Sequence, residues 1–121
     1  MIVYRIQDAE GRGPFKPGFT QKWKGESGLD MPPIFVELGI EPESLRDIIP
    51  AGMHAGIGCS SLAQIGRWFD RHERRRLHRM GYYLIAFEPT RVLRETPTQV
   101  LFAHKFPLRT VCGLKKYEAV A

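Results

Sequence analysis

The segment HAGIGCSS at residues 54–61 sets two glycines just ahead of a serine pair and a helix start. Backbone N–H groups in such a segment point outward, and the positive end of a helix dipole favours an anion. His54, Gly56, Gly58, Ser60 and Ser61 are therefore candidate residues for holding a phosphate. A dinucleotide fingerprint of the Rossmann type is excluded. Gly56 and Gly58 match its first two glycines, but Ser61 takes the third place, Pro50 interrupts the stretch before it, and no acidic residue about twenty positions later ends a second strand. The same residues also read as a glycine-rich turn capped by a serine.

Six arginines, Arg67, Arg71, Arg74, Arg75, Arg76 and Arg79, crowd one short stretch. On a helix, Arg71, Arg74, Arg75 and His78 share a face, with Arg76 and Arg79 extending the charge around it. Arg71, Arg74, Arg75 and Arg79 are candidates for gripping an acidic protein or nucleic acid. The plain alternative is a solvated helix surface, and no base-reading residues accompany the run. Two polar residues on otherwise apolar strands complete the set: Arg5, which needs an anion or acceptors if buried, and Gln99, whose amide can bond ribose hydroxyls. The four histidines show no ligand-spaced pair with a carboxylate, so no metal is expected. Cys59 near His54 lacks the orienting third group that a nucleophile needs, and no GxSxG elbow or P-loop occurs.

The elements that must position these residues follow from periodicity. Residues 1–7 (MIVYRIQ) alternate like a half-buried strand. Residues 8–18 carry three glycines and two prolines, predicting a turn-rich loop that can rim a pocket. From 19 to 50, prolines interrupt every run and leave only short helical turns such as 43–48. Ser60 or Ser61 caps a helix with Leu62, Ile65, Gly66 and Phe69 at helical spacing and Trp68 flanking the stripe. Asp70 with Glu73 resembles a capping box opening a second helix, Leu77 and Met80 form its buried stripe, and Gly81 suits its end. Residues 82–87 (YYLIAF) are apolar throughout and predict a central strand covered on both faces. A short strand at 91–93, a turn at 94–97 and a last strand at 98–103 follow. The expectation is an α+β fold: one domain over residues 1–121, with a twisted, mainly antiparallel sheet and two consecutive helices packed beside it.

Composition agrees. The 121 residues suit one core, and 43% hydrophobic content with seven Phe, four Tyr and two Trp can fill it. A net charge of +5 favours polyanionic partners. The first ten residues lack the basic start and apolar run of a signal peptide, and no segment approaches the roughly 20 apolar residues of a membrane span. A cytoplasmic protein with no membrane contact is expected, its two cysteines, Cys59 and Cys112, reduced.

VYR with Arg5, HAGIGCSSLAQIGRWF at 54–69 and QVLF at 99–102 together resemble the minimal ADP-ribosyltransferase superfamily. Its members begin with a strand carrying an Arg or His, continue to a glycine-rich strand and helix, and later present a strand with an acidic or amide residue. The pattern is also similar to small bacteriophage-encoded proteins. The three blocks cover about a quarter of the chain. The resemblance implies NAD or a related nucleotide as ligand, possible ADP-ribose transfer to a macromolecule, Arg5 contacting phosphate or the nicotinamide-side ribose, and Ser60 or Ser61 holding that ribose. Gln99 falls where many members carry a catalytic Glu, and its amide offers the hydrogen bond without the charge. Glu95, the nearby carboxylate, is assigned to a turn and does not replace it. Arg5, the 54–61 segment and Gln99 are expected to converge on one cleft. A non-catalytic inhibitor or adaptor, or a small nucleic-acid-binding domain, are the other function classes open to this sequence.

Overall fold

The computed structural model describes residues 1–14, 34–108 and, as backbone, 116–118. In chain order these form β1 (Val3–Gln7), α1 (Ile34–Leu38), a 3-10 turn (Pro42–Ser44), α2 (Leu45–Ile48), β2 (His54–Gly58), α3 (Leu62–Trp68), α4 (Arg71–Arg79), β3 (Tyr83–Phe87), β4 (Arg91–Glu95), β5 (Val100–His104) and β6 (Lys116–Glu118). The fold is α+β, and every strand pair is antiparallel. The sheet is split in two: β1-β3-β6 with β3 central, and β2-β5-β4 with β5 central.

The halves meet edge to edge where Tyr4 pairs with Cys59. Two backbone bonds close this seam, Tyr4 N–H to Cys59 O at 2.8 Å and Cys59 N–H to Tyr4 O at 2.7 Å. The close approach depends on Gly58. A Cβ there would stand 2.5 Å from Val3 Cγ1 and 2.9 Å from the Tyr4 carbonyl oxygen, nearer than any real Cβ contact.

Local signals set the helices. Ser61 caps α3 by accepting from Gln64 N–H, and Asp70 caps α4 by accepting from Glu73 N–H at 2.8 Å. Gly81, at φ +94°, ends α4 in the left-handed conformation. Tyr82 N–H then reaches Leu77 O at 3.0 Å and Gly81 N–H reaches His78 O at 3.1 Å, a Schellman closure. The two residues it brings together, Leu77 and Tyr82, join Ile6, Cys59, Ile65, Phe69 and Leu84 in the core beneath the helices. A second core holds Val3, Ile85, Phe87, Val100 and Phe102, with Phe87 edge-on to Phe102. Burying a single side chain such as Leu77 stabilises the fold by roughly 1.5–3 kcal/mol.

Several expectations change. Leu62 and Met80, assigned to buried stripes, are 52% and 39% exposed. Each sits at a helix end, the first residue of α3 and the C-cap of α4, where the stripe runs out of neighbours. Arg94 and Glu95 extend β4 past a register shift between Val92 and Arg94. The turn therefore occupies 96–99, and Gln99 precedes β5 instead of lying within the strand. α1 and β6 carry no sequence signal that separates them from loop.

Candidate functional site

Arg5 lies at the seam. Its residue is 4% exposed, and its guanidinium donates to Gln7 Oε1 at 3.0 Å, to Gly11 O at 3.2 Å and, by a short bond, to Ile57 O. These acceptors belong to β1, the following loop and β2. Past the Tyr4–Cys59 bridge the strands part, and the guanidinium replaces the ladder bonds they no longer make. Burial pulls the Arg5 pKa down from 12.5 to about 10, against the opposing pull of Asp8 and Cys59, so the group stays charged at neutral pH. The expected phosphate contact is thus already occupied by protein oxygens, and Arg5 acts as a fastener that keeps a positive charge at the seam.

A shallow apolar cleft opens beside it, lined chiefly by Tyr4, Ile57, Cys59, Ile65, Trp68 and Phe69, with Pro14 of the loop on its rim. Its enclosed volume is about 50 Å³. At roughly 10–15 Å³ per water, that is room for about four waters and too little for a whole dinucleotide. Burial pushes the Cys59 thiol from 9.0 up to about 12 despite the Arg5 charge, so it is no nucleophile near neutral pH.

The 54–61 segment differs from the expected phosphate turn. Gly56 and Gly58 are strand positions in β2. Gly56 pairs with Phe102, and a Cβ on it would meet the ring at 2.7 Å. Both glycines answer to packing. Ser60 N–H donates to Gln64 Oε1 at 2.7 Å and Ser61 Oγ accepts from Gln64 N–H at 3.2 Å, so the start of this seven-residue helix is closed by its own side chains. His54 is exposed opposite His104 and lines a separate open hollow of about 410 Å³ with Glu10 and Leu108. Burial and the His54 charge both lower the His104 pKa.

Gln99 belongs to a second polar cluster. Its amide donates to Glu37 Oε1 at 2.9 Å. Thr98 Oγ1 donates to the same carboxylate at 2.9 and 2.8 Å, and Thr96 Oγ1 makes a further short bond to it. α3 is sewn to this turn: Trp68 Nε1–H donates to Thr98 O at 2.9 Å, and Gln64 Nε2–H to Pro97 O at 3.0 Å. Burial opposes ionisation of Glu37, but the bonds from Thr96, Gln99 and Thr98 and the Arg67 charge outweigh it, and the pKa is lowered. The structure thus joins Arg5 to the middle of β2 and Ser60 to α3, whereas Gln99 bonds to Glu37 of α1 and does not line the cleft beside Arg5, so the expected convergence of all three on one cleft is not seen. Trp68 stands between the two groups. Glu37 was missed by sequence reasoning because it lies 62 residues from Gln99, and only the fold brings them together.

On α4, Arg71, Arg75, Arg76 and Arg79 are exposed, as is Arg67 on α3, while half-buried Arg74 reaches back to Asp70 O at 3.4 Å. Among the described residues, no group of three potential metal ligands occurs, and no helix is long and apolar enough to cross a membrane.

The model of a protein family described as "Bacteriophage T4 Y00F protein" matches residues 1–108. No curated protein and no solved structure matches the chain.

Proposed function

The chain belongs to the bacteriophage T4 Y00F protein family, and within it we propose that the cleft at the sheet seam binds a nucleotide of the NAD class, with ADP-ribose transfer to a macromolecule as the activity such a ligand would serve. One observation carries the reading. Beside the Tyr4–Cys59 bridge that joins the edges of the two antiparallel sheets lies an apolar slot lined by Tyr4, Trp68 and Phe69, next to a buried cation. A nicotinamide or adenine ring stacks on such walls, since every base has a π-face and each stacked base contributes roughly 1–3 kcal/mol. The Arg5 charge attracts the phosphates from beneath, weakened by distance and solvent. The remainder of the ligand runs over the surface. The reading also rests on the resemblance of the sequence to the ADP-ribosyltransferase superfamily, in which an arginine strand and a glycine strand leading into a helix precede a strand carrying the acidic or amide residue, although here Gln99 lies just before β5.

Calorimetric titration with NAD and with ADP-ribose tests this. Saturable binding in the micromolar to millimolar range is expected, weakened at least about fivefold by Tyr4→Ala if a stacked ring is lost. Heats no larger than dilution at millimolar ligand, with the protein folded, would remove the reading.

A second reading, a non-catalytic inhibitor or adaptor, has a separate observation behind it: the exposed arginines of α4. It calls for binding of duplex DNA or an acidic protein that falls steeply as salt rises and is lost in Arg75→Glu/Arg76→Glu, with no nucleotide affinity.

A further inference from the structure

The connection at 88–90 carries the chain from β3 in one sheet to β4 in the other. Thr90 fastens it to the end of β5. Its N–H donates to His104 Nδ1 at 3.2 Å, its hydroxyl oxygen stands 3.5 Å from the same nitrogen, and Lys105 N–H donates to that oxygen at 2.8 Å. We propose that Thr90 and His104 form a proton-operated clasp, closed at neutral pH and released in mild acid. The direction of the hydrogen bond carries the argument. A backbone N–H can only donate, so Nδ1 keeps its lone pair while the clasp is closed, and the neutral ring carries its proton on Nε2. A second proton then has only Nδ1 to occupy. There it removes the acceptor and sets two N–H groups against each other.

The surroundings of the half-buried ring bring no carboxylate to its charged form. His54 faces it from β2, Lys105 follows it on the chain, and Arg91 opens β4 next to Thr90. Phe87 and Phe106 stand edge-on to it, ring centres 5.6 and 6.1 Å away. Glu88, the carboxylate of the connection, holds the N-terminal ammonium at 3.3 Å, and among the described residues no carboxylate lies within ion-pair distance of His104. Burial and the His54 charge accordingly lower its proton affinity from the ordinary value of 6.5. The stability it contributes is complete above pH 6.5 and is lost as pH falls through the titration of the folded protein.

Nitrogen-15 NMR of the full chain between roughly pH 8 and pH 4 follows ring and connection together. The neutral His104 ring is expected as the Nε2–H tautomer, titrating below 6.5. Across that titration the Thr90 amide should lose protection from exchange by at least about tenfold, while the Tyr4 and Cys59 amides at the seam keep theirs. His104→Asn supplies an amide oxygen that accepts without titrating and should keep Thr90 protected throughout. His54→Gln removes the facing charge and should move the ring and Thr90 transitions to higher pH together. A neutral ring protonated on Nδ1, a Thr90 amide unmoved while the ring titrates, or the same acid loss in folded His104→Asn would overturn the clasp. Should His104→Asn not fold, His54→Gln decides: transitions of ring and amide that part company overturn it equally.

Discussion

Replacing Arg5 with methionine keeps most of the side-chain volume and removes the guanidinium that spans the seam. Three acceptors lose a charged donor: Gln7 Oε1, Gly11 O and Ile57 O. An orphaned buried acceptor costs roughly 1–3 kcal/mol, so about 6 kcal/mol is at stake. Relief of the buried charge works in the other direction. Its cost shows in the fall from 12.5 to about 10, and at 1.36 kcal/mol per pKa unit it returns about 3 kcal/mol. The expected net loss is about 3 kcal/mol, which in a domain of this size lowers Tm by roughly 12 °C. Urea unfolding followed by far-UV circular dichroism measures the loss. Native-state hydrogen exchange localises it, because the Tyr4 and Cys59 amides that close the seam should lose protection. Buried ionic groups can sometimes be replaced by apolar ones without cost. A loss under about 1 kcal/mol, with those amides still protected, would therefore show that apolar packing and the two bridge bonds hold the halves together, and that Arg5 fastens nothing.

Cys59 sets an alkaline limit: the folded protein keeps the thiol protonated to about 12 while the unfolded chain releases it at 9.0. Stability from this group is complete below pH 9 and is lost as pH rises from 9 toward 12, so between pH 8 and pH 10 wild type should lose about 1.4 kcal/mol more than Cys59→Ala. Parallel pH curves for the two proteins would contradict that assignment. Gly58→Ala forces a Cβ against Val3 and the Tyr4 carbonyl and should cost about 2–3 kcal/mol in urea unfolding, more than Gly81→Ala, where only the left-handed backbone at φ +94° objects, by about 1–2 kcal/mol; the reverse order would count against a tight seam. Gln99→Glu sets a second carboxylate where the amide now donates to Glu37 at 2.9 Å. Two like charges so close raise the proton affinity of the pair, so the variant should match wild type in mild acid and fall behind as the pair ionises toward pH 7. A deficit unchanged between those pH values would point to lost hydrogen bonding alone.

The sequence alone determined whatever depends on neighbours three or four positions apart. The Ser61 and Asp70 caps, the Gly81 terminus, the position of β1 and the apolar run of β3 came out where expected, because a cap or a stripe is satisfied within one helical turn or one pleat, whereas the half-buried alternation expected of β1 did not, since Val3, Arg5, Ile6 and Gln7 are all buried. It also offered Arg5 and Gln99 as polar residues out of place on apolar strands. It left open what satisfies them, since a buried guanidinium accepts any arrangement of oxygens. That choice belongs to the tertiary structure: Arg5 bonds to Ile57 O, 52 residues away, and Gln99 to Glu37, 62 away. The two glycines of β2 show the same divide. Before a serine they read as a phosphate turn, whereas their lack of a Cβ serves a phenylalanine ring over Gly56 and a neighbouring strand against Gly58. Pairing β1 with β3 and bringing it to the edge of β2 closes long stretches of chain, and that closure is decided by how two sheets and two helices bury their apolar faces together rather than by any local pattern.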